Sequence, residues 1–273
     1  MTQENVESAR STLGVYRRQR LLDIGGFRVG LEGSQDWDLV LRFTEGLPAS
    51  AIRHIPAVLY HWRIIPGTTP GDSAAKPYAV HAGRRAVVEH FQRSRIRAEL
   101  RDVCDGQFFV PVFAVEGLPK VSIIIPTRNG VDLLRVCIHS LGRTDYPNIE
   151  IVVVDNQSDD AGTIAYLKEL TQRPGVRILA YPYPFDYAKM HNFAIPQAQG
   201  DYVCLLNNDI EVIAPGWLRD MLGVAQREGV GAKLLYPDGT VQHAAWFSAL
   251  AASPHTPTKA LTPPPAGTLA GPC

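Results

Sequence analysis

Three clusters of polar residues follow short apolar runs, and their side chains suit a nucleotide and a cation. Thr127 and Arg128 follow the first run, Asp155 ends the second, and the third is followed by Asn207-Asn208-Asp209. A carboxylate accepts hydrogen bonds from a ribose hydroxyl or a base N–H. Carboxylate and amide oxygens are ligands for the hard divalent cation that accompanies a diphosphate. Together the clusters predict a nucleotide site with Asp209 as a metal ligand.

Each cluster also has a purely structural interpretation. Asn129-Gly130 is typical of a turn that starts a helix. The run from Asp155 to Asp160 can cap the next helix, and an Asn-Asp cluster after a strand is commonly a turn. Lys189 and Asn192 add hydrogen-bond donors in a predicted helix, where surface polarity is the alternative.

Two further candidates lie near the N-terminus. Asp36 falls in the first turn of a helix predicted over Gln35–Thr44 with Ser34 as its cap. It is our candidate general base for removing an acceptor proton, although the helix dipole alone also favours a carboxylate there. His61 can be a metal ligand or an ordinary strand histidine, and its position slightly favours the latter.

Short β-type runs alternate with helical patterns in the second half of the chain, which predicts an α/β fold with a mostly parallel sheet. Helical spacing predicts a helix over Val131–Leu141 and another around residues 164–170. Ligands collect beyond the carboxyl ends of such strands, where all three clusters are expected. The predicted strands are Val121–Pro126, Ile149–Asp155, Val176–Ala180 and Tyr202–Leu206.

Composition excludes several classes of protein. Lys plus Arg and Asp plus Glu each total 27, so no nucleic-acid partner is expected. The 4 cysteines have no metal-ligand spacing and suit a reducing compartment. The polar start and the lack of a long apolar stretch predict a cytoplasmic location, with any membrane association peripheral and at the inner face.

Several ordered motifs resemble the inverting family-two glycosyltransferases, notably bacterial polysaccharide and rhamnan-type enzymes. The motifs are VSIIIPTRNG at 121–130, IEIVVVDNQSDD at 149–160, FDYAKMHNFA at 185–194, GDYVCLLNNDIEV at 200–212 and VGAKLLYPDGTVQHA at 230–244. The resemblance implies a GT-A fold, the Rossmann-like fold of nucleotide-diphospho-sugar transferases, with helices on both faces of the sheet.

The resemblance also implies roles for the matching residues. Thr127, Asp155 and Asp160 would lie around the nucleoside, and Lys189 and Asn192 would approach the ribose or the phosphates. Asn207-Asn208-Asp209 stands at the Asp-x-Asp position that binds Mg or Mn in the family. The first Asp is Asn207 here, so Asp209 is the expected direct ligand.

Residues 14–70 resemble the other end of the same family, the acceptor-side half that normally follows the nucleotide half. This resemblance rests on GVYRRQRLLDIGGF at 14–27, EGSQDWDLVLR at 32–42 and IPAVLYHWR at 55–63. Asp36 then falls on the catalytic-base position and His61 on a metal-proximal histidine of some relatives. The order of the two halves is therefore inverted.

The inverted order predicts a piece of a tandem enzyme. Residues 1–75 would end one glycosyltransferase domain, 76–118 would be a linker with a helix, and 119–245 would begin a second domain. A circularly permuted single domain is the runner-up, and complementation between chains is a third account. The tail at 246–273 has no periodicity, and we hypothesise that it is disordered, frameshifted coding sequence.

The expected activity is transfer of a sugar from a nucleoside-diphosphate sugar to a saccharide or lipid-linked saccharide acceptor, with inversion, in cell-surface polysaccharide synthesis. A divalent metal, Mg or Mn, would offset the charge of the leaving diphosphate. The rivals are a catalytically incomplete nucleotide-sugar-binding fragment and a nucleotide-sugar hydrolase.

Overall fold

A computed structural model describes residues 14–52, 77–103, 108–227, 230–232 and 234–243. The chain divides into two compact units between Ala114 and Val115.

The C-terminal unit is built on a four-stranded parallel sheet whose central strands are almost entirely apolar. The strands are β3 (Val121–Thr127), β4 (Ile149–Asp155), β5 (Val176–Ala180) and β6 (Tyr202–Leu205), in the order β5-β4-β3-β6. Such unbroken β-branched runs form strands that are covered on both faces. Thr127 lies opposite Asp155 in the β3–β4 register, so the ends of these two strands coincide.

Helices cover both faces of this sheet, because successive side chains of a strand point to opposite sides. Ile123 and Ile125 pack in one core with residues of α4 (Val131–Leu141) and α5 (Ala161–Leu170). On the other face, Ile124 packs in a second core with residues of α6 (Tyr187–Ala194). The α/β fold class predicted from the sequence is confirmed.

The C-terminal unit is completed by α7 (Trp217–Ala225), β7 (Leu234–Leu235) and β8 (Val241–His243). Strands β7 and β8 form a small antiparallel pair. Within the described residues, every helix is too short or too polar to cross a bilayer.

The N-terminal unit is helical, with one antiparallel hairpin. Its helices are α1 (Arg18–Asp23), α2 (Gln35–Thr44) and α3 (Pro77–Ser94), and its strands are β1 (Ala98–Val103) and β2 (Phe108–Phe113). Its core contains Leu41 of α2, Ala86 and Phe91 of α3, and Leu100 of β1. The helix expected in a linker thus packs with α2 in one unit.

The hairpin was not predicted from the sequence, which indicated only a linker with a helix over residues 76–118. Helix α3 instead ends at Ser94, and Arg95 has a left-handed φ of 54° that breaks the helical path. The strand that follows, AELRDV, buries Leu100 between exposed charged neighbours. Its many charges hide this alternation from an apolar-pattern analysis.

Candidate functional site

A cavity of about 340 Å³ lies at the carboxyl ends of β3 and β6, and five of the predicted residues line it. They come from the last residue of β3 and the loops that follow β3 and β6: Thr127, Arg128, Asn207, Asn208 and Asp209. The structure therefore brings the first and third polar clusters together, as expected for the carboxyl edge of a parallel sheet.

Thr127 and Asn208 join the two loops. Thr127 is buried, and its Oγ1 accepts a hydrogen bond from Asn208 Nδ2 at 3.1 Å. Asn129 joins the β3 loop to the β4 loop, because its Oδ1 accepts hydrogen bonds from Asp159 N at 3.0 Å and Asp160 N at 3.2 Å. Three adjacent loops at the strand ends are thus linked by side-chain hydrogen bonds.

Asp209 is exposed on the wall of the cavity. Burial raises the pKa of the Cys137 thiol to about 12, and the negative charge of Asp209 contributes to this rise. Asn207 is also exposed, and its carbonyl oxygen accepts a weak hydrogen bond from Cys137 Sγ at 3.7 Å. Arg128 places a cationic side chain on the wall of the same cavity.

Asp155 and Asp160 make the local contacts that their structural interpretation predicts. Asp155 Oδ1 accepts hydrogen bonds from Ser158 N at 3.1 Å and Ser158 Oγ at 2.6 Å, which closes the loop after β4. Asp160 caps α5, where its Oδ1 accepts a hydrogen bond from Thr163 N at 2.9 Å. Asp155 directly precedes Asn156, and Asp160 follows in the same loop. Asn156 lines the cavity, whereas Asp155 and Asp160 do not.

Lys189 and Asn192 lie on the exposed side of α6. Lys189 Nζ is 3.4 Å from Asp186 Oδ2, a loose ion pair across one helical turn. The buried side of α6 carries Met190 and His191, and Met190 reaches the cavity. The structure does not bring Lys189 or Asn192 into the cavity wall.

Asp36 lies in the first turn of α2 in the N-terminal unit and is half-buried. Helix α2 has the predicted bounds, but Ser34 does not cap it, because Ser34 Oγ donates to the Ala79 carbonyl at 2.7 Å. Burial raises the pKa of Tyr16, and the charge of Asp36 adds to that rise, so the two side chains are near neighbours. His61 lies outside the described residues, as does the tail at 246–273.

Asn156, Phe185 and Tyr187 line the cavity and were missed as site residues by the sequence reasoning. Asn156 directly follows Asp155, so its position at a strand end was an available signal. Phe185 and Tyr187 precede and begin α6, and their aromatic side chains were not distinguished from core residues.

The residues at the cavity fit a cation that is shared with a phosphate ligand. Among the residues that the structure describes, no group of three or more His, Cys, Asp or Glu side chains could hold a metal ion alone. Mg²⁺ is usually held by one or two carboxylates together with substrate phosphates. Asp209 and the amide oxygen of Asn207 offer a donor set of that kind.

Comparison with known proteins identifies the family. The family model described as "Glycosyl transferase family 2" matches residues 122–262, which is more than half of the chain. The chain belongs to glycosyl transferase family 2. The predicted enzyme class, a glycosyltransferase, is thereby confirmed at the level of the family, and the family-2 match contains the whole cavity.

Two long bacterial proteins are similar to nearly all of this family-2 chain. The uncharacterized protein y4gI of Sinorhizobium fredii is 44% identical over 240 residues, 86% of this chain and 26% of that protein. The O-antigen biosynthesis protein RfbC of Myxococcus xanthus is 41% identical over 234 residues, 84% of this chain and 18% of that protein. The chain thus spans about a quarter or less of the length of these relatives.

Two solved structures are also similar to the chain. One is the mannosyltransferase PcManGT from Pyrobaculum calidifontis in complex with GDP-Man and Mn²⁺, at 20% identity and a TM-score of 0.41 over 60% of this chain and 48% of that one. Another is S. aureus TarS 1-349, at 26% identity and a TM-score of 0.36 over 40% of this chain and 33% of that one.

Proposed function

We propose that the C-terminal unit binds a nucleoside-diphosphate sugar through a divalent cation at the carboxyl edge of its sheet. The observation that carries this proposal is the single cavity wall formed by Thr127, Arg128 and Asp209. It unites a cationic side chain for the diphosphate with oxygen ligands for Mg²⁺ or Mn²⁺. The family-2 match over this unit supports the same ligand class.

The parent protein is proposed to transfer the sugar to a saccharide or lipid-linked saccharide acceptor, with inversion, in cell-surface polysaccharide synthesis. The similarity to RfbC, an O-antigen biosynthesis protein, supports this class of acceptor. In such a reaction Asp209 and Asn207 would hold the cation, and Arg128 would offset the phosphate charge. The bound cation would supply Lewis-acid stabilisation of the leaving diphosphate. We place the reaction in the cytoplasm, at the inner face of the membrane.

The chain is proposed to be a piece of a tandem enzyme, with the end of one transferase domain preceding the start of another. Both long relatives align with this chain over 240 and 234 residues, lengths that must include residues of both units. This supports an order of halves that also occurs within a much longer protein. In this account Asp36 is the general base of the preceding domain, so the chain binds a donor without completing a transfer.

The permuted single domain makes the opposite prediction, because it needs Asp36 to act on the sugar held near Asp209. Sugar transfer by this chain that is lost in Asp36→Asn would support permutation.

The nucleotide sequence of the gene tests whether the tail is frameshifted. The family match extends to residue 262, so the frameshift hypothesis must explain why the match continues into the tail.

The donor site is tested by replacing Asp209 with Ala and measuring the binding of UDP, GDP and dTDP with Mn²⁺ by calorimetry. We expect the unaltered chain to bind at least one of them and Asp209→Ala to lose the Mn²⁺-dependent part of the affinity. Loss of an outer-shell partner alone already costs about 10–100-fold in metal affinity, so loss of a direct ligand should cost at least as much.

Asp145→Asn is the matched control. The Asp145 side chain is exposed, lies outside the cavity wall and contacts Arg219 only loosely, at 3.8 Å. Equal nucleotide affinity of Asp209→Ala and Asp145→Asn would refute the cation site. Failure of the unaltered chain to bind any nucleoside diphosphate would refute the proposed function.

A further inference from the structure

Two exposed aromatic side chains form one side of the cavity. Phe185 and Tyr187 line it, and they are 65% and 47% exposed. Leaving large aromatic rings in water forgoes the free energy of burying them, so exposed rings at the rim of a pocket indicate a ligand surface. We call this pair the aromatic rim.

The backbone that carries Phe185 is held before any ligand arrives. Asn156 is fully buried, and its Nδ2 donates to the Tyr181 carbonyl at 3.3 Å and to the Tyr183 carbonyl at 2.7 Å. Asp186 caps α6 by accepting a hydrogen bond from Lys189 N at 3.0 Å. The prolines at 182 and 184 each have a fixed φ angle. A ligand that stacks here therefore pays little for ordering the loop.

The ring of Tyr187 is also supported from behind. Its centroid lies 4.1 Å from that of the His191 ring, at an interplanar angle of 45°. The buried imidazole hydrogen-bonds through Nδ1 to the Tyr187 carbonyl at 2.7 Å. Tyr187 thus presents an open ring from the first turn of α6.

Asn156 adds an unused acceptor to the same cavity. The two hydrogen bonds that Nδ2 donates fix the orientation of the Asn156 amide group. Its Oδ1 atom is buried and has no hydrogen-bond partner within the described residues. Asn156 lines the cavity together with Phe185 and Tyr187. A planar ring with an N–H at its edge can stack on the aromatic side chains and donate a hydrogen bond to this acceptor.

We propose that the aromatic rim, Phe185 with Tyr187, is the stacking surface for the nucleobase of the donor. This inference rests on the proposed binding of a nucleoside diphosphate. The cation ligands Asn207 and Asp209 account for the diphosphate, and the rim accounts for the planar, uncharged end of the same molecule. Stacking of a base on an aromatic side chain tolerates different bases, so the rim sets affinity more than base identity.

The test is the binding of the nucleoside diphosphate that the unaltered chain prefers, in the presence of Mn²⁺, compared with the binding of pyrophosphate and Mn²⁺. We expect Phe185→Ala to raise the dissociation constant of the nucleotide roughly 5- to 100-fold. Phe185→Tyr should retain the affinity, and Phe185→Leu, which is apolar but not aromatic, should lose most of it. Pyrophosphate binding should be the same in all of them, because pyrophosphate has no base.

Tyr183→Ala is the matched control. Tyr183 is an exposed aromatic in the same loop, it packs on Tyr181 with ring centroids 5.2 Å apart, and it does not line the cavity. Its removal should leave nucleotide binding unchanged. Thermal unfolding of each variant checks that the fold is intact.

Four results would overturn the inference. Unchanged nucleotide affinity in Phe185→Ala would do so while leaving the proposed function in place. An equal loss of pyrophosphate binding would show that Phe185 only supports the fold. A loss confined to the nucleotide sugar, with the free nucleotide unaffected, would assign the rim to the sugar. If the unaltered chain binds no nucleotide, the inference falls together with the proposed function.

Discussion

Two carboxylates that are two residues apart have different surroundings. Asp38 has a side chain that is 1% exposed and forms ion pairs with Arg28 and with Arg42, the latter at 2.7 Å. Arg42 also donates to the carbonyls of Ile24 and Gly26, at 2.7 and 2.6 Å. Asp38 thus holds the loop before α2, whereas Asp36 is left accessible for chemistry. Both residues lie in one helical turn, and only their burial distinguishes them.

Asp38→Ala should therefore destabilise the N-terminal unit. The variant leaves the buried Arg42 guanidinium without its anion, which costs about 3–5 kcal/mol. Chemical denaturation followed by circular dichroism measures the change in the free energy of unfolding. Asp36→Ala is the control and should change it by less than about 1 kcal/mol. Equal effects of the two variants would contradict the assignment of Asp38 to structure.

The Asp38 contribution should also depend on pH. Burial alone would raise the pKa of Asp38, but hydrogen bonds from Arg28 and Arg42 outweigh burial and lower it. A lowered pKa in the folded state means that the stabilisation is present above the unfolded pKa of about 3.9. It is lost as the pH falls through the lower, folded value. Asp38→Asn should remove this part of the acid dependence.

The sequence pattern predicts the position of some site residues, whereas the position of others depends on tertiary contacts. The strand-end position of Thr127 and Asp209 was sufficient to place both at the cavity. Position along α6 was not sufficient for Lys189 and Asn192, because a helix of this length turns half of its residues to solvent. Asn156 was hidden because its role depends on carbonyls more than twenty residues further along the chain.

At the scale of elements, apolar runs predicted the sheet closely. Strands β4 and β5 and helix α4 have the bounds expected from the sequence. Strand β3 is one residue longer and β6 one residue shorter than expected. Helix α7 begins at Trp217, two residues after Pro215, and ends at Ala225. Helix ends depend on caps and tertiary contacts that periodicity does not record.

The edge of the sheet opposite the cavity is held by a buried polar cluster. Glu150 is buried, and its Oε1 accepts hydrogen bonds from Ser122 Oγ and Gln199 N, each at 2.5 Å. Ser122 Oγ in turn accepts a hydrogen bond from Gly200 N at 2.8 Å. The cluster fixes the start of β6 against β3, and so it fixes the register that carries residues 207–209 to the cavity.

Gly200→Ala should disturb this cluster. An added Cβ would lie 2.6 Å from both Ser122 N and Ser122 Oγ, and 2.8 Å from the Lys120 carbonyl. Overpacking of this kind costs about 1–3 kcal/mol, measurable by chemical denaturation. Gly216→Ala is the matched control, because an added Cβ there meets no atom within 4 Å. A Gly200→Ala variant as stable as the control would show that the start of β6 is not fixed in this way.

At the scale of the whole molecule, we propose that the two units correspond to opposite ends of one domain type in inverted order. The long relatives align with 240 and 234 residues of this chain, which make up 26% and 18% of their own lengths. The cavity that we propose binds the donor is lined only by residues of the C-terminal unit. Donor binding is therefore expected to need only residues of that unit, whatever domain Asp36 serves.

The most direct test of the donor site is paramagnetic broadening of backbone amide resonances by Mn²⁺, with and without the preferred nucleoside diphosphate, on the full chain. The account predicts that Mn²⁺ with nucleotide broadens resonances most strongly around residues 127–129 and 207–209. The effect should be weakest in the same unit at Ser122, Glu150 and Gly200, which lie at the opposite edge of the sheet. The account would be contradicted if the broadening were strongest at that opposite edge, or if no broadening depended on the nucleotide.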